Sequence, residues 1–496
     1  MIGFSNLDSL ISLCGARNRF GALAFAGDDG GRATYTAGDL AKAVGAVKIT
    51  GDKNAEIRSL IADSRRVAPS SAFFAVGGFT TDGNIFVDEA AHRGAVAVVS
   101  ENSCPKGFGA TWIQVADLRD ALPAAAKSFY ANPDETLKTF GITGTNGKTS
   151  VSWMLQTILN ALGEKCGVIG TIHYDLGGRC LPASRTTPDA LELHAMLNQM
   201  RNASCRAAAM EISSHSIAQK RVKGVHLDCA CYLNLTQDHM DYHKTMESYF
   251  ETKASMFTGA LGALPKNAVL NFDDPHGREI AKRLDPSVKA VGFGIESPDA
   301  QIRAENLELL PDGSKFKLVW PEGEMQTSIK MTGHYNVSNA LAALACIYAA
   351  GFDIKKAAEI LANFGGVPGR MQKVSGNAGF DIFVDYAHTD DALKNGLSML
   401  RKVVKNRLLV VFGCGGKRDR TKRPKMMNAV QEYADFAWAT SDNPRGEPIA
   451  QIFDDMKKGI SDPSKVVFVE DRRRAINLAI DSAQKGDCIL IAGKGH

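Results

Sequence analysis

The stretch "GITGTNGKTS" at residues 141–150 constrains the possible fold more than any other feature of this sequence. It follows the apolar, β-prone run "KTFGIT" and leads into "SVSWMLQTILNALG", in which apolar residues recur at helical spacing. A glycine-rich loop between a strand and a helix lies at the positive end of that helix, where anions bind. The sequence therefore predicts an α/β unit that carries an anion-binding loop.

The residues of this loop suit the phosphates of a nucleotide, although the standard pattern G-x-x-x-x-G-K-[ST] has a glycine where Ile142 stands. Gly144 and Gly147 allow the backbone to approach phosphate oxygens closely. Lys148 can reach the terminal phosphates, and the Thr149 hydroxyl can bind magnesium. The alternative is a glycine-rich turn with a chance lysine. The position of the loop before an amphipathic helix favours nucleotide binding.

Composition limits the class of protein. The chain has 496 residues, 45% hydrophobic and 23% charged, and we expect three domains. A formal charge of +4 without a run of five basic residues argues against nucleic-acid binding. Ten cysteines without a C-x-x-C pair argue against a zinc site or a disulfide framework. With no signal peptide and no apolar segment of the roughly 20 residues that a membrane helix needs, we expect a cytoplasmic protein.

The order of strand-like and helical segments predicts three α/β domains. Residues 1–137 are predicted to form a small α/β domain, in which residues 1–35 are an extension without an assigned structure. Residues 138–365 are predicted to form a parallel sheet of the P-loop ATPase type, with an antiparallel portion at "SKFKLVW". In residues 366–496, five strand-like runs alternate with helical segments, which predicts a Rossmann-like domain.

Acids and histidines follow two buried strands of the central part. Glu211 ends the strand in "RAAAMEI", where ligands of open α/β sheets bind; it could equally be a helix-capping acid. The segment "NLTQDHMDYHK" then brings two acids and two histidines into six residues, a plausible magnesium or manganese environment or simply a polar loop. These residues are Asp238, His239, Asp241 and His243.

Lys253 lies within an apolar helical stripe. Tyr249, Phe250, Met256 and Phe257 are three or four positions away from it. Spacing alone favours snorkelling, in which the ammonium reaches water past an apolar stem. A desolvated lysine would instead have a lowered pKa and a nucleophilic neutral amine, which can take up carbon dioxide to become an anionic carbamate.

Further polar residues lie at predicted loops and strand ends of the C-terminal half. The charged segments "GGKRDRTKRPKM" and "SDNPRGEP" follow two neighbouring strands of the last domain, which favours a ligand crevice over a solvated face. Each residue taken alone could be a turn or a cap. The candidates are Asn336, Asn339, Arg370, Asp385, His388, Asp442, Asn443 and Arg445.

Taken together, these motifs closely resemble those of the Mur ligases. The motifs "GTNGKTS", "TTPDA", "MEISSHSIAQKRV", "NLTQDHMDYH", "GHYNVSNALAA", "VPGRM", "VDYAHT", "DNPR" and "AGKGH" occur in the family order from about Ser59 onward. The family's phosphate loop has the form G-T-N-G-K-[TS], which explains the departure from the standard pattern. The resemblance implies a three-domain cytoplasmic enzyme of peptidoglycan synthesis, acting as a monomer, whose N-terminal domain binds the UDP substrate.

The resemblance also implies the reaction. Such an enzyme uses ATP to phosphorylate a carboxylate of a nucleotide-linked dipeptide, and an incoming amine attacks the acyl phosphate. The pattern is most similar to the type that adds meso-diaminopimelate to UDP-N-acetylmuramoyl-L-alanyl-D-glutamate. Lys148, Glu211, His239 and Lys253 would be catalytic. Thr149 would hold one Mg²⁺, and Glu211, His239 and a Lys253 carbamoylated by carbon dioxide would hold a second.

Carried over by position, three sets of binding residues follow from the resemblance. The ATP-binding residues would be Gly144, Thr145, Asn146, Gly147, Lys148, Thr149, Ser150, Asn336, Asn339, Arg370 and Asp385. The residues that bind the UDP-dipeptide would be Ser64, Thr186, Thr187, Ser213, Gln219 and Arg221. The residues that bind the added amino acid would be Arg418, Asp442, Asn443, Pro444, Arg445 and Gly493.

The sequence departs from the family pattern at three places. Arg185 precedes the double threonine, and Asp390 stands where proline is common; neither is expected to abolish activity. The sequence stops at His496 inside the motif G-K-G-H-E, which predicts a truncated last domain without the glutamate that binds the incoming amine. The alternatives are a lysine-adding Mur ligase, a ligase like folylpolyglutamate synthetase, and a non-catalytic binding protein disabled by truncation.

Overall fold

The structure is a computed structural model that describes residues 34–78, 81–310, 313–374 and 379–494. The predicted extension at residues 1–35, except residues 34 and 35, and the predicted truncation at His496 lie outside these residues. Within them, the chain forms 22 strands and 15 α-helices, which confirms the α/β class. None of the helices in the described ranges combines the length and the apolar character needed to cross a membrane.

The first part of the chain is a small sheet covered on both faces. The sheet order is β1-β5-β4-β3-β2, and only β1 runs antiparallel to its neighbour. Alternate residues point to opposite faces: Phe74 and Val99 pack with α1 and α3, whereas Phe73 and Val98 pack with α2. The elements are β1 (Lys48–Thr50), β2 (Ser59–Ile61), β3 (Ser71–Phe74), β4 (Ala95–Ser100), β5 (Thr111–Gln114), α1 (Ala37–Ala43), α2 (Val87–His92) and α3 (Leu118–Phe129).

The next elements carry most of the predicted site residues. They begin with β6 (Lys138–Thr143), α4 (Lys148–Ala161), β7 (Cys166–Ile169), β8 (His173–Asp175), β9 (Cys180–Pro182), α5 (Ala190–Asn202), β10 (Ala207–Glu211) and α6 (Ser214–Ala218). Strand β7 pairs parallel with β10 and antiparallel with β8, which pairs antiparallel with β9. The strand, loop and helix that the sequence predicted around the phosphate loop are therefore confirmed.

A second group of strands is parallel at first and then antiparallel. Its elements are β11 (Cys229–Tyr232), α7 (Met240–His243), α8 (Met246–Ala254), β12 (Asn267–Asn271), α9 (Pro275–Lys282), β13 (Lys289–Gly294), β14 (Ile302–Leu310), β15 (Gly313–Trp320), β16 (Gly323–Ile329), α10 (His334–Ala349) and α11 (Ile354–Leu361). Strands β11 to β14 are parallel, and β14, β15 and β16 are antiparallel. The prediction of an antiparallel portion at "SKFKLVW" is confirmed.

The last part of the chain is a parallel sheet with helices on both faces. Its order is β17-β18-β22-β19-β20-β21, in which only β17 and β18 are antiparallel neighbours. Val410 packs with α12 and α13, whereas the adjacent Val411 packs with α15, so this part is Rossmann-like as predicted. The elements are β17 (Gln372–Lys373), β18 (Asp381–Asp385), α12 (Asp390–Val403), β19 (Leu408–Cys414), α13 (Lys422–Tyr433), β20 (Phe436–Ser441), α14 (Ile449–Lys457), β21 (Val466–Val469), α15 (Arg472–Ser482) and β22 (Cys488–Ala492).

The described residues divide into two compact units, and the predicted domain boundaries after residues 137 and 365 remain predictions. The first unit comprises the described parts of Met1–Gly141, Gly163–Asp228 and Thr258–Pro265. The second unit comprises those of Ile142–Leu162, Cys229–Phe257 and Lys266–His496. In the second unit α4 packs against α10 and α11 and buries its apolar stripe, because Val151, Leu155 and Ile158 recur at helical spacing.

Candidate active site

The phosphate loop of the second unit is braced by its own lysine and by an asparagine. Nζ of Lys148 donates hydrogen bonds to the carbonyl oxygens of Gly144 (2.8 Å) and Thr145 (2.9 Å). The amides of Thr145 and Asn146 both donate to Oδ1 of Asn234, at 3.1 and 2.9 Å. These contacts hold the loop against the segment that follows β11 and keep the Lys148 ammonium against the loop.

Gly147 packs directly against Asn339 of α10. Its φ is +93°, in the region that favours glycine, and a Cβ there would collide with Oδ1 of Asn339 and lie 3.1 Å from Leu233 Cδ1. The second predicted asparagine, Asn336, donates from Nδ2 to the carbonyl of Thr332 at 2.9 Å. Asn339 therefore lies directly against the phosphate loop, whereas Asn336 is bound to the chain before its own helix.

Residues far apart in the sequence meet at the start of α4. Nη2 of Arg370 donates to Oγ1 of Thr149 at 2.9 Å, and its guanidinium carbon lies 4.6 Å from the ring centre of Tyr386. Asp385 accepts two backbone amides, at 2.6 and 2.7 Å. Burial raises the pKa of Asp385, and the positive charge of Arg370 opposes that shift. Arg370 thus interacts with two other residues predicted to bind ATP: with Thr149 through a hydrogen bond and with Asp385 through its charge.

Lys253 is fully buried, and the snorkelling interpretation is wrong. The residue is 1% exposed, so its ammonium does not reach water. Its Nζ lies 4.5 Å from the ring centre of Tyr249, whose hydroxyl is 3.2 Å from Oγ1 of Thr145. Burial, reinforced by the positive charge of Lys148, lowers the pKa of Lys253 well below its ordinary value. The second unit therefore buries an amine of lowered pKa on α8, the helix whose Tyr249 contacts the phosphate loop.

Asp238 is the centre of a buried ionic cluster. It is 4% exposed, and its carboxylate lies 3.3 Å from Nζ of Lys422. Nε2 of His239 is 3.5 Å away and Nε2 of His388 is 3.7 Å away. Burial acts to raise the pKa of Asp238, but the hydrogen bond from His388 and the charge of Lys422 hold this pKa well below its usual range. The cluster joins the segment after β11 to the start of α13.

The other two metal candidates of "DHMDYH", Asp241 and His243, differ in their burial. Asp241 is exposed, and His243 is buried against Tyr249, with ring centres 4.9 Å apart. Across the described ranges, no group of three or more His, Cys, Asp and Glu side chains is arranged to hold a metal ion. Asp241 and His243 thus lie in different surroundings, one exposed and one packed against an aromatic ring.

Several of the residues predicted to bind the UDP-dipeptide form one hydrogen-bonded set in the first unit. Glu211 is 1% exposed and accepts from the amide (2.9 Å) and the hydroxyl (2.8 Å) of Thr171. Oγ1 of Thr187 donates to the Glu211 carbonyl at 2.7 Å and accepts from the amide of Ser213 at 3.1 Å. Nη1 of Arg221 donates to the Thr187 carbonyl at 2.9 Å. The backbone of Glu211 is thus bound to Thr187 of the double threonine, and its carboxylate is bound to Thr171.

The remaining members of that prediction differ in their contacts. Oγ1 of Thr186 lies 3.2 Å from Oγ1 of Thr171, and Nη2 of Arg221 bonds to Oε1 of Gln219. Ser64 is buried at the start of a short 3₁₀ turn. In the described part of the chain, no hydrogen bond joins its side chain to this set. The structure therefore brings together every residue of the prediction except Ser64.

The residues predicted to bind the added amino acid lie on loops of the last sheet. The amide of Asn443 donates to Oδ1 of Asp442 at 2.6 Å. Nη1 of Arg445 reaches the carbonyls of Asn443 (3.3 Å) and Gly416 (3.5 Å). A Cβ at Gly493 would lie 3.4 Å from Oδ2 of Asp442. Asp442 and Arg445 follow β20 and Gly493 follows β22, so the three residues lie at one edge of the sheet.

Several side chains that contact the predicted site residues were not predicted from the sequence. Asp391 accepts from the side chain of Asn146 at 3.1 Å, and Glu447 pairs with the fully buried Arg423 at 2.7 and 2.8 Å. Asn234 and Lys422 were missed as well. Glu447 stands two positions after Arg445, so the only signal was proximity in sequence to a predicted site residue.

Three family models match the chain in succession. They are "Mur ligase family, catalytic domain" over residues 56–130, "Mur ligase middle domain" over residues 142–347 and "Mur ligase, glutamate ligase domain" over residues 369–495. The chain is 43% identical over 449 residues to the UDP-N-acetylmuramoyl-L-alanyl-D-glutamate--2,6-diaminopimelate ligase of Geobacillus thermodenitrificans (strain NG80-2), covering 89% of this chain and 91% of the relative. The chain belongs to the Mur ligase family.

Other relatives and solved structures agree with this membership. The ligase of the same name from Geobacter metallireducens (strain ATCC 53774 / DSM 7210 / GS-15) is 38% identical to this Mur ligase and covers 92% of this chain and 93% of its own. A solved structure of a protein of that name is 33% identical, with a TM-score of 0.68 and coverage of 94% of each chain. The MurF structure from Acinetobacter baumannii, at 21% identity, a TM-score of 0.69 and coverage of 93% and 96%, matches in fold.

Proposed function

We propose that this chain is an ATP-dependent ligase that joins meso-diaminopimelate to UDP-N-acetylmuramoyl-L-alanyl-D-glutamate in peptidoglycan synthesis. The observation that carries the proposal is the phosphate loop, in which Lys148 lies against its own loop and Arg370 binds the hydroxyl of Thr149. The names of relatives at 38–43% identity supply the substrates. In this proposal the enzyme acts as a cytoplasmic monomer without nucleic acid.

The residues of the second unit fit ATP. The backbone at Gly147 leaves no room for a Cβ, so only a glycine lets the loop approach α10 as it does. We assign the terminal phosphates to Lys148 and Arg370, because a point charge and a planar guanidinium together can neutralise charge that develops on the transferred group. Asn339 and Asp385 complete the nucleotide site. The remaining members of the assignment are Gly144, Thr145, Asn146, Thr149, Ser150 and Asn336.

The chain also offers ligands for magnesium. The Thr149 hydroxyl is an oxygen donor of the kind that Mg²⁺ prefers, and it is buried at the first turn of α4. In the second unit, His239 and a carbamoylated Lys253 are the proposed ligands of a second ion, and in the first unit Glu211 is a proposed carboxylate ligand. When bound, Mg²⁺ supplies positive charge that reduces repulsion between the triphosphate and the substrate carboxylate.

The burial of Lys253 supports the proposed carbamate on its amine. A neutral amine attacks the carbon of CO₂, a new C–N bond forms, one proton leaves, and the product is an anion. We expect a carbamate carbonyl resonance in the ¹³C NMR spectrum of enzyme equilibrated with ¹³C-labelled bicarbonate, and its loss in Lys253→Ala. Lys330→Ala, at an exposed lysine, is the control and should keep the resonance. If Lys253→Ala keeps the resonance as well, the carbamate is not on Lys253.

The proposed reaction has two steps. The γ-phosphoryl group of ATP passes to the terminal carboxylate of the UDP-dipeptide, and ADP leaves. The amine of meso-diaminopimelate then attacks the acyl carbon, an amide bond forms, the amine loses a proton and inorganic phosphate leaves. We assign the UDP-dipeptide to the hydrogen-bonded set of the first unit. The members of this set are Thr186, Thr187, Ser213, Gln219 and Arg221, and the proposed substrate site also includes Ser64.

Arg445 is the proposed selector of the amino acid. Meso-diaminopimelate differs from lysine by a second carboxylate at its far end, and a guanidinium binds a carboxylate with two parallel hydrogen bonds. The distal ammonium of lysine would meet a like charge at Arg445, so lysine is both less attracted and actively repelled. The other proposed contacts of the amino acid are Arg418, Asp442, Asn443, Pro444 and Gly493.

The proposal is tested by omitting substrates one at a time. Continuous ADP release over many turnovers should require the UDP-dipeptide and meso-diaminopimelate together, and mass spectrometry should find the UDP-tripeptide. Lys148→Met should abolish both signals, whereas Lys330→Met should leave them unchanged. If no product forms with any combination, the ligase proposal fails. If lysine is used as well as meso-diaminopimelate, the amino-acid assignment alone fails.

A further inference from the structure

Arg423 on α13 is a fully buried arginine whose two terminal nitrogens bind anionic and carbonyl oxygens. It is 0% exposed. Its Nη1 and Nη2 atoms bind the two carboxylate oxygens of Glu447 at 2.8 and 2.7 Å. Nη1 also binds Oδ2 of Asp455 at 3.0 Å, and Nη2 binds the carbonyl of Gly415 at 3.2 Å. One guanidinium therefore holds the loop after β19 and the segment after β20 simultaneously.

The two loops are joined further through Glu447. Its Oε2 accepts from the amide of Lys417 at 2.7 Å, and its own amide donates to the carbonyl of Pro444 at 2.8 Å. The amide of Gly416 donates to the carbonyl of Asn443 at 2.9 Å. Glu447 thus belongs to the second loop, after β20, and its carboxylate binds both the backbone of the first loop, after β19, and the buried Arg423.

Arg445 lies directly on this frame. Its backbone has a φ of +48°, an uncommon conformation for a non-glycine residue. A Cβ at Gly415 would lie 2.7 Å from Nη1 of Arg445, so the side chain rests on the backbone of the first loop. The only hydrogen bonds of the guanidinium in the described residues are the two long ones, of 3.3 and 3.5 Å, to backbone carbonyls. The joined loops, rather than strong bonds of its own, fix the position of Arg445.

We propose that Glu447 and Arg423 form a positioning pair that sets the distance between Arg418 on the first loop and Arg445 on the second, and thereby determines selection of an amino acid with a second carboxylate. The inference rests on the proposed function, because it takes Arg445 as the residue that binds that carboxylate. Neither Glu447 nor Arg423 contacts the substrate in this account. They act through the position of the arginines.

A purely structural role of this ion pair would have different kinetic consequences. If the pair only stabilised the fold, its loss would reduce the fraction of folded enzyme, and the rates with meso-diaminopimelate and lysine would fall by the same factor. A positioning role instead raises the KM of meso-diaminopimelate, leaves the KM of ATP and of the UDP-dipeptide unchanged, and lowers the preference for meso-diaminopimelate over lysine.

The test is steady-state kinetics of Glu447→Gln, which keeps the side-chain volume and removes the charge. We expect the KM for meso-diaminopimelate to rise about tenfold and the ratio of kcat/KM values between the two amino acids to fall by about the same factor. The matched control is Glu432→Gln on the same helix as Arg423, because Glu432 is half exposed and pairs loosely with Lys394 at 3.9 Å. The control should leave every constant unchanged.

The outcomes separate this inference from the proposed function. A wild-type enzyme that does not ligate meso-diaminopimelate overturns the function. A wild-type enzyme that prefers it, together with a Glu447→Gln enzyme that has the same KM and the same ratio, overturns the positioning role. If Glu447→Gln does not fold, Arg423→Lys, which keeps the charge and loses the two-pronged geometry, should show the same rise in KM. If lysine turnover is undetectable, the KM for meso-diaminopimelate decides.

Discussion

Replacing Gly147 by alanine tests how closely the phosphate loop is fitted to α10. Gly147 stands directly before α4 with a φ of +93°, and an added Cβ would meet Oδ1 of Asn339. Gly163, just past the other end of the same helix, has a φ of +85°, and a Cβ there would have no neighbouring atom within 4 Å. The two glycines therefore share the conformational demand and differ only in the collision.

The expected magnitudes follow from that difference. An alanine held in such a backbone conformation costs about 1–3 kcal/mol of unfolding free energy at either position. Forcing a methyl group into packed surroundings costs about 1–3 kcal/mol more, and this second cost applies to Gly147 alone. Gly147→Ala should therefore lose about 2–6 kcal/mol, against about 1–3 kcal/mol for Gly163→Ala.

Urea denaturation and calorimetric titration with ADP measure the two effects. We expect Gly163→Ala to bind ADP as the wild type does, whereas Gly147→Ala should bind at least about tenfold more weakly, since 1.4 kcal/mol corresponds to a factor of ten. Equal losses of stability in both variants, with ADP affinity unchanged in both, would refute the idea that the loop is fitted against Asn339.

Four further predictions concern charged residues. Lys253→Ala should lose nearly all ligation and recover part of it with a small added carboxylic acid; full activity without the acid would exclude an anionic role. Arg445→Ala should lose most of the preference for meso-diaminopimelate over lysine in parallel assays, and an unchanged preference would move the selector elsewhere. Arg423→Met should destabilise the enzyme by about 3–5 kcal/mol in urea at pH 7, because Glu447 is left without its buried partner; a loss below about 1 kcal/mol would contradict this. The hydrogen bond from Arg423 lowers the pKa of Glu447 from 4.5 to about 2. The stabilisation of the folded state by this ion pair is therefore complete above pH 4.5 and is lost as the pH falls through 2. Glu447→Gln should accordingly flatten the acid limb of the curve of unfolding free energy against pH.

The local elements were predictable because their signals are local. The strand, loop and helix around the phosphate loop follow from an apolar run, glycines and a stripe at helical spacing. The strands of the last sheet follow from buried runs that are apolar throughout. The short strands β1, β8, β9 and β17 were missed, because two to three residues are too few to show an alternating pattern in a sequence.

The environment of a side chain was much less predictable. Spacing put Lys253 in an apolar stripe, but whether its amine reaches water depends on what packs over the end of the side chain, such as Tyr249. The contact between Asp238 and Lys422 joins residues 184 positions apart, and no local pattern encodes such a pair. The family resemblance identified Glu211 and Arg445 as site residues. It did not identify Arg423 and Glu447, which hold the loop that carries Arg445.

The position of β22 in its sheet has a consequence for the synthesis of the protein. This strand follows β21 in the sequence, yet it lies between β18 and β19 and pairs with both. While the chain emerges from the ribosome, β18 and β19 are synthesised long before β22, which lies between them. Until β22 is available, the two apolar strand edges with which it pairs have no hydrogen-bonding partner. Sheet closure is therefore a late event that needs residues 488–492, and a nascent chain stalled before them is the form that a holding chaperone should bind.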